Sequence, residues 1–394
     1  KNLPSDSAVK PAPQSEPDYL RRISIAEGEL EPFVQGGVPL PRGSIQRPDQ
    51  LRIFDGEREL PVQSRTLAYW PDGTIKWLLL VFPLSESEEV KMTPGTGDGQ
   101  RLQIQITTRN NQSKLLQLRF GEQVKSAKTE PAISVSEADG VVSIDTGPLQ
   151  VTLGKGQQWI KEISIQKNPI LGSQKDARLS FIDMLRPESG YVTNRSHPSG
   201  KRDDGSLEIQ SIQVEEKGPL RAIVRLEGMT RNIEPQRVIL RIELYGGKPF
   251  IRLFHTVEFL HKDPRRAFVR NMGLHLPLQL DPENCRAFAG TEAGPSEAAN
   301  GGEVGLLQTS HHHYRAWQKT ETSADTLHEG GRSRGWLTLT DGQRGVTAIL
   351  RNMWQEFPKE LRADTENPSI TFGLWPDSVP IFSGMSSQRR RDSI

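Results

Sequence analysis

The sequence predicts a mainly-β protein, in which a small N-terminal β-barrel is followed by a large antiparallel β-sandwich. Three observations support this prediction. Apolar and polar residues alternate along many short segments. Glycine (35 residues) and proline (28 residues) are frequent enough to supply turns between those segments. No segment shows the apolar period of an α-helix for more than a few turns. Long strands joined by hairpins indicate two packed antiparallel sheets.

The barrel is predicted over residues 18–125. The stretch LRIFDGERELPV turns at Asp55 and Gly56, the favoured dipeptide of a tight hairpin. The stretch AYWPDGTIKW turns at a Pro-Asp-Gly sequence, with Trp70 before the turn and Trp77 after it. We expect the two indoles to fix this turn and to fill a small core, not to bind sugar.

The sandwich is predicted over residues 126–382. In GPLRAIVRLEG the apolar residues face one way and the arginines the other, and RVILRIELYGGKPFIRLFHTVEFL reads as a long hairpin. Three polar stretches are expected to be long loops, namely Asn194 to Ser206, Ala289 to Gly305 and Thr322 to Gly335. Residues 383–394 are predicted to form an unstructured tail.

Charge and cysteine content exclude several classes of protein. Fifty Lys and Arg residues balance 49 Asp and Glu residues, a net charge of +1, so no charge excess indicates nucleic acid or an anionic membrane as partner. The single cysteine, Cys285, excludes an intrachain disulfide and a cysteine-based metal site. No apolar run approaches the ~18 residues that span a bilayer.

The first residues of the chain suggest where it is located. Residues 1–17 are rich in proline, serine and charge and are predicted to be a disordered leader. A leader of this kind often separates an export signal from a folded domain, so a secreted or periplasmic location is expected.

The sequence contains no strong catalytic motif, and the best candidates lie in SHHHYRAW. On a strand, His311 and His313 would share a face with Arg315, while His312 and Tyr314 would share the other. Histidine is the usual base near neutral pH, and tyrosine can act beside it. The alternative is a histidine-rich strand edge. The lack of a third spaced ligand favours that alternative, so no metal site is predicted.

Other candidates come from the predicted strands of the sandwich. His255 lies in phase with apolar residues, so it is either a core histidine or one that faces a groove. An arginine-rich stripe could pair with sugar carboxylates, although a solvated face with internal ion pairs is the default. The stripe consists of Arg221, Arg225, Arg237, Arg241, Arg252 and Arg270. The candidate substrate-binding residues are Arg252, Arg270, Arg315 and Trp317.

Several stretches together resemble one family. GGVPLPRGSI followed by LRIFDGERELPVQSRTLAYWPDGTIKWLLLVF is similar to the N-terminal barrel of the exo-rhamnogalacturonan lyase family, the PcRGLX/YetA-like proteins. GPLRAIVRLEG, LYGGKPFIRLFHTVEF and ILRNMWQEFPKELR are similar to the central β-sandwich of that family. The resemblance covers roughly residues 28–382.

The resemblance implies a carbohydrate-active protein that cleaves an acidic, rhamnogalacturonan-like polysaccharide by β-elimination. Such a lyase neutralises the uronate carboxylate, removes the proton at C5 and protonates the leaving oxygen. Arginine or a divalent cation such as calcium can serve the first task, and lysine, histidine or tyrosine the others. The residues themselves identify no cofactor. The candidate catalytic residues are His255, His311, His313 and Tyr314.

The resemblance also implies a C-terminal helical α/α toroid, which is absent from the sequence up to Ile394. A truncated form is therefore expected. Two other functions stay open. One is a non-catalytic β module that binds glycan or scaffolds a helical domain. The other is a glycoside hydrolase, which needs two acidic residues across a cleft, and no such pair stands out in the sequence.

Overall fold

The structure is a computed structural model that describes residues 33–83, 91–94, 101–107, 113–125, 132–171, 177–185, 201–263, 267–298, 301–378 and 390–393. Within these ranges the regular elements are β-strands, apart from one 3-10 turn at Pro282–Asn284. The predicted fold class, a small barrel followed by a large antiparallel sandwich, is confirmed. The predicted leader lies outside the described residues. No helix in the described ranges is long and apolar enough to cross a membrane.

The N-terminal domain is a small barrel made of two antiparallel sheets. Its strands are β1 (Phe33–Pro39), β2 (Leu51–Asp55), β3 (Arg58–Leu60), β4 (Gln63–Tyr69), β5 (Ile75–Pro83), β6 (Lys91–Pro94), β7 (Arg101–Thr107) and β8 (Ser113–Phe120). The strand orders are β1-β5-β4 and β3-β2-β8-β7-β6. Alternating apolar residues of both sheets point inward and form a core of their own, which includes Leu51, Ile53, Leu80 and Phe82.

The tight turn between β4 and β5 uses its two tryptophans differently. Trp70 fixes the turn, because its indole Nε1 donates to the carbonyl oxygen of Leu40 at 3.1 Å and Lys76 Nζ lies 4.7 Å from its ring centroid. Trp77 was expected to fill the core, but it does not. It is 39% exposed and lies over Gly37, where a Cβ would approach its Nε1 to 2.3 Å. Register shifts in the β4–β5 pair, next to the turn, change the inward and outward alternation there.

The carboxylate of Asp72 holds the same turn. Its Oδ1 accepts hydrogen bonds from the backbone N–H and the hydroxyl of Thr74 at 3.0 and 2.6 Å, and its Oδ2 accepts from Arg42 Nε at 2.7 Å. The Thr74 hydroxyl, followed by the Arg42 guanidinium, lowers the pKa of Asp72 from 3.8 to about 2. Because the folded pKa is depressed, the carboxylate stabilises the fold above its unfolded pKa. That contribution is lost as the pH falls through about 2.

We expect an NMR titration of the Asp72 carboxyl carbon to give a pKa of about 2. Replacing Arg42 with glutamine should raise that pKa toward 3.8, because one of the donors to the charged form is lost. A pKa near 3.8 for Asp72 in the unaltered protein would contradict this description of the turn.

The second domain is a β-sandwich that contains the remaining strands. They are β9 (Ser134–Ala138), β10 (Val141–Asp145), β11 (Leu149–Leu153), β12 (Ile160–Ile165), β13 (Asn168–Leu171), β14 (Arg178–Leu185), β15 (Lys201–Lys217), β16 (Arg221–Thr230), β17 (Arg237–Tyr245), β18 (Ile251–Glu258), β19 (Ala267–Pro277), β20 (Arg286–Thr291), β21 (Gly294–Glu297), β22 (Glu303–Ser310), β23 (His313–Lys319), β24 (Ala324–Gly330), β25 (Trp336–Thr340), β26 (Gly345–Ile349), β27 (Lys359–Asp364), β28 (Ser369–Trp375) and β29 (Arg390–Ser393).

One twelve-stranded sheet, called the large sheet below, dominates the sandwich. Its order is β24-β23-β22-β27-β28-β19-β14-β15-β16-β17-β18-β29. Two smaller sheets, β13-β12-β11-β10-β9 and β21-β20-β25-β26, contribute to the same core. That core includes Phe181, Leu226, Leu240, Leu306 and Leu361. Because side chains alternate along each strand, the opposite, outer face of the large sheet is free to carry polar residues.

A buried polar cluster joins the barrel to the sandwich. Arg221, at the start of β16, is 1% exposed, and its Nε donates to Glu216 Oε2 at 2.8 Å. Its guanidinium also donates to Gln35 of the barrel. The side chain of Gln63, also from the barrel, accepts from the backbone N–H groups of Leu220 and Arg221 at 2.8 Å and donates to the Arg221 carbonyl oxygen at 3.1 Å. The two domains are therefore connected by directional hydrogen bonds.

Several segments that were predicted to be irregular are strands. Ala289 to Gly305 contains β21 and the adjoining ends of β20 and β22, and Thr322 to Gly335 contains β24. Both β21 and β24 lie at sheet edges and bury few side chains, so they lack the apolar alternation that reveals a strand. In the expected tail, β29 pairs with β18. In the predicted loop from Asn194 to Ser206, the residues up to 200 lie outside the described ranges. The remainder belongs to β15, which begins at Lys201.

Candidate functional site

The outer face of the large sheet carries two parallel rows of side chains that come from distant parts of the chain. Residues directly opposite each other on antiparallel strands point to the same face, so the strand register defines the rows. The first row, across β23, β22, β27, β28, β19 and β14, is Trp317, Gly305, Arg362, Thr371, His275 and Arg178. The second row, across the same strands, is Arg315, Leu307, Glu360, Gly373, Gly273 and Ser180.

The indole of Trp317 lies directly over the neighbouring strand because Gly305 has no side chain. A Cβ at Gly305 would come within 2.2 Å of Trp317 Cε2 and 2.4 Å of Nε1. The indole is half-buried, so part of it faces solvent on the open side of the sheet. An aromatic surface supported in this way can pack against the apolar face of a sugar ring.

Next to this indole, the first row is rich in hydrogen-bond donors. His275 is exposed, and its Nδ1 shares a hydrogen bond of 2.9 Å with the Thr371 hydroxyl. Partial burial, followed by the positive charges of Arg178 and Arg362, lowers the pKa of His275, and Asp364 opposes them. The imidazole is therefore mainly neutral at neutral pH.

Behind the indole, the second row contains a buried carboxyl group, Glu360, which is 1% exposed. Ser378 Oγ donates to its Oε2 at 3.1 Å, and Arg362 Nε lies 3.5 Å from the same oxygen. Pro376 packs near Gly373 beside it. Burial raises the pKa of Glu360, and Arg362, Ser378 and the Trp317 indole partly offset that effect. Glu360 is thus a protonatable group close to the open face.

Three of the predicted site residues lie on this face, and two others do not. Arg315 and Trp317 lie in the two rows, and His313, two residues before Arg315, is exposed on the same face with its Nδ1 2.9 Å from Thr309 Oγ1. His311 was expected to lie on the same strand, but it lies in the turn before β23.

Tyr314 points to the inner face and is fully buried. Its hydroxyl accepts a hydrogen bond from Glu292 N at 3.0 Å and pairs with His328 Nδ1 at 2.9 Å. The tyrosine ring also stacks on His328, with centroids 5.8 Å apart. Tyr314 therefore does not share the face of His313, and its catalytic role stays a prediction.

The remaining predicted site residues are dispersed. His255 is fully buried. Of the two alternatives given for it, this burial agrees with the core histidine. Arg252 lies beside Tyr245, with its guanidinium 5.9 Å from the ring centroid, and it is remote in register from the two rows. Arg270 donates to the carbonyl oxygen of Asp377 at 2.8 Å, so it borders the segment next to Glu360.

Most of the arginine-rich stripe is an ion-pair ladder. Arg237 Nη2 and Nη1 contact Glu227 and Glu258 at 2.7 and 3.1 Å, and Arg241 Nε contacts Glu215 at 2.8 Å. Arg225 also pairs with Glu227. Glutamates therefore balance these positive charges, in agreement with the default interpretation of the stripe.

Sequence reasoning missed Arg178, His275, Glu360 and Arg362. One signal was available: in KELRAD the polar residues Glu360 and Arg362 alternate with Leu361 and Ala363, and such alternation places both on the face away from the apolar core. Nothing local shows that these two residues lie near Trp317, two strands away in the large sheet.

The site face does not fit a divalent cation such as calcium. Among the described residues, no group of three or more His, Cys, Asp or Glu side chains could hold a metal ion. Calcium takes oxygen ligands, whereas the first row contains two guanidinium groups and an imidazole. These groups suit a negatively charged ligand instead.

Comparison with known proteins identifies both domains. Residues 23–95 match the PcRGLX-like N-terminal RIFT barrel domain, and residues 133–286 match the PcRGLX-like protein central beta sandwich domain. The matched segments lie inside the two predicted domains, whose outer boundaries stay predictions. Trp77 and Arg221 fall in the matched segments, whereas Trp317 and Arg362 lie beyond them.

Two individual proteins are similar over most of the chain. The uncharacterized protein YetA of Bacillus subtilis (strain 168) is 25% identical over 416 residues, which are 91% of this chain and 44% of the relative. The chain thus spans less than half the length of that relative. An alpha-mannosidase from Enterococcus faecalis V583 superposes with a TM-score of 0.47 at 9% identity, covering 92% of this chain and 40% of the mannosidase. On the two domain matches, which together cover more than half of its residues, the chain belongs to the PcRGLX-like proteins.

Proposed function

We propose that this chain belongs to a carbohydrate-active protein that binds acidic, rhamnogalacturonan-like polysaccharide on the outer face of the large sheet and cleaves it by β-elimination. The observation that carries the binding site is the Trp317 indole, supported on Gly305 and set beside Arg362. Membership of the PcRGLX-like proteins supports the carbohydrate class of the ligand.

The chemistry of the face suits two demands of β-elimination on a uronic acid residue. A guanidinium group such as that of Arg362 neutralises the carboxylate and so stabilises the negative charge that develops when C5 loses its proton. A carboxylic acid with a raised pKa can donate a proton to the leaving oxygen. Glu360 is a group of this type on the same face.

The test is to incubate the purified chain with rhamnogalacturonan and polygalacturonate and to follow the absorbance of the C4–C5 unsaturated uronate. Binding of the same polymers is measured in parallel by affinity electrophoresis. We expect retarded migration and release of the unsaturated product. If neither polymer binds nor reacts, the proposed function is wrong.

A second candidate function is a non-catalytic glycan-binding module. It is favoured by the burial of Glu360, because a carboxyl that is 1% exposed must first be uncovered before it can reach a substrate oxygen. Saturable binding without any unsaturated product would support this candidate over the lyase.

A further inference from the structure

The four polar members of the first row form one continuous line of donors across four strands. Arg362 on β27 lies opposite Thr371 on β28, Thr371 lies opposite His275 on β19, and His275 lies opposite Arg178 on β14. Neighbouring strands are about 4.8 Å apart, so the line is about 14 Å long. We call these four residues the donor row.

The charge of the donor row is almost entirely positive. Its ends are guanidinium groups, which bind carboxylates in a planar, two-point geometry. The Thr371 hydroxyl shares its hydrogen bond with His275 Nδ1. Since the imidazole is exposed, its other nitrogen can reach a ligand that lies on the face.

Three charged groups act on the pKa of His275. Arg178 comes from β14, and Arg362 and Asp364 come from β27. Thr371, on β28, is uncharged. In the next row, Glu360 is buried and already contacts Arg362 and Ser378. The two guanidinium groups therefore disfavour the protonated form of His275. The carboxylate of Asp364 favours that form.

We propose that the donor row binds the carboxylate of an acidic sugar residue and that His275 takes up one proton when this carboxylate binds. This inference rests on the proposed function, since it assigns one part of the same face. Before binding, the two guanidinium groups disfavour the imidazolium form. A bound carboxylate offsets their charge and accepts a hydrogen bond from the new N–H. The proton comes from the solvent, and no covalent bond is made or broken.

The proton uptake makes the expected pH dependence specific. A sugar carboxylate is ionised throughout the range in which histidine titrates, so the ligand itself does not change charge there. Affinity should therefore fall as the pH rises through the pKa that His275 has in the complex. A face that binds only through Trp317 and hydroxyl contacts would show no such slope.

The experiment is isothermal titration calorimetry of the chain with trigalacturonate, in two buffers of different ionisation enthalpy at the same pH. The fully methyl-esterified trisaccharide serves as the uncharged ligand. We expect trigalacturonate binding to take up close to one proton and binding of the ester to take up none. An NMR titration of the His275 ring should show its pKa rise when trigalacturonate is bound.

His275→Gln is the test variant, because glutamine keeps a hydrogen-bonding side chain near Thr371 but cannot become charged. We expect this variant to lose the proton uptake and to bind trigalacturonate about tenfold more weakly, as for the loss of one charge-assisted hydrogen bond. His313→Gln is the matched control, since His313 is also exposed and also pairs with a threonine hydroxyl. It should retain the proton uptake.

Each outcome separates this inference from the proposed function. If the chain binds both ligands equally and no proton is taken up, the donor row is not a carboxylate site, although glycan binding stands. If His275→Gln takes up as many protons as the unaltered chain, the titrating group has been misassigned. If neither ligand binds at any pH, the proposed function is lost together with the inference.

Discussion

Replacing Arg221 with alanine is expected to lower the free energy of unfolding by about 3 to 5 kcal/mol, the usual effect of removing one partner from a buried ion pair. Glu216 is itself buried, and without Arg221 its charge would lose the Nε hydrogen bond of 2.8 Å. Burial alone would lower the pKa of Arg221, but the charge of Glu216 more than compensates and the pKa is raised. Urea unfolding, followed by tryptophan fluorescence, measures the loss.

The matched control for this variant is Arg225→Ala. Arg225 lies four residues further along β16, and its side chain is 26% exposed and paired with Glu227. Ion pairs that solvent reaches stabilise a fold by no more than about 1 kcal/mol, so this variant should unfold almost like the unaltered chain. Equal losses for the two arginines would show that Arg221 does not hold the barrel to the sandwich.

Replacing Trp317 with alanine is expected to weaken the binding of acidic oligosaccharide about tenfold or more, equivalent to about 1.4 kcal/mol. The ring supplies the apolar contact surface of the face, and Gly305 beneath it offers no substitute. The fold should tolerate the change, because the indole lies on the outer face and is half-buried. Calorimetry with trigalacturonate gives the affinity, and urea unfolding gives the stability.

Trp77→Ala provides the matched control for Trp317→Ala. Trp77 is likewise partly exposed and likewise lies over a glycine, Gly37, but it belongs to the barrel. Its loss should leave the affinity unchanged. If Trp77→Ala weakens binding and Trp317→Ala does not, the glycan lies on the barrel and the assignment of the large sheet is wrong.

The two tryptophans near the Pro-Asp-Gly turn show where local patterns stop being reliable. The turn itself follows from its residues, since Asp72 and Thr74 form it with their own hydrogen bonds. The direction of Trp77 does not, because the register shifts between β4 and β5 alter which face it occupies. Alternation predicts a face only where the register is regular.

The histidine-rich segment shows the same limit in a second way. His313 and Arg315 share a face as predicted, and the same alternation along β23 adds Trp317 to it. His311 is not on that face because it lies in the turn that joins β22 to β23. The position of this turn depends on the pairing of the two strands. Tyr314 was predicted to be available, but the partners that bury it, Glu292 and His328, come from other segments.

By itself, the sequence determined the fold class, the order of the two domains and most of the hairpins. These features depend on period-two alternation and on turn residues, and both are local properties of the chain. Only the tertiary structure decided which polar residues form a site. Arg178, His275 and Arg362 belong to strands that are far apart in the chain and meet through the order of the large sheet. That order is set by burying a common core, so no single segment contains the information.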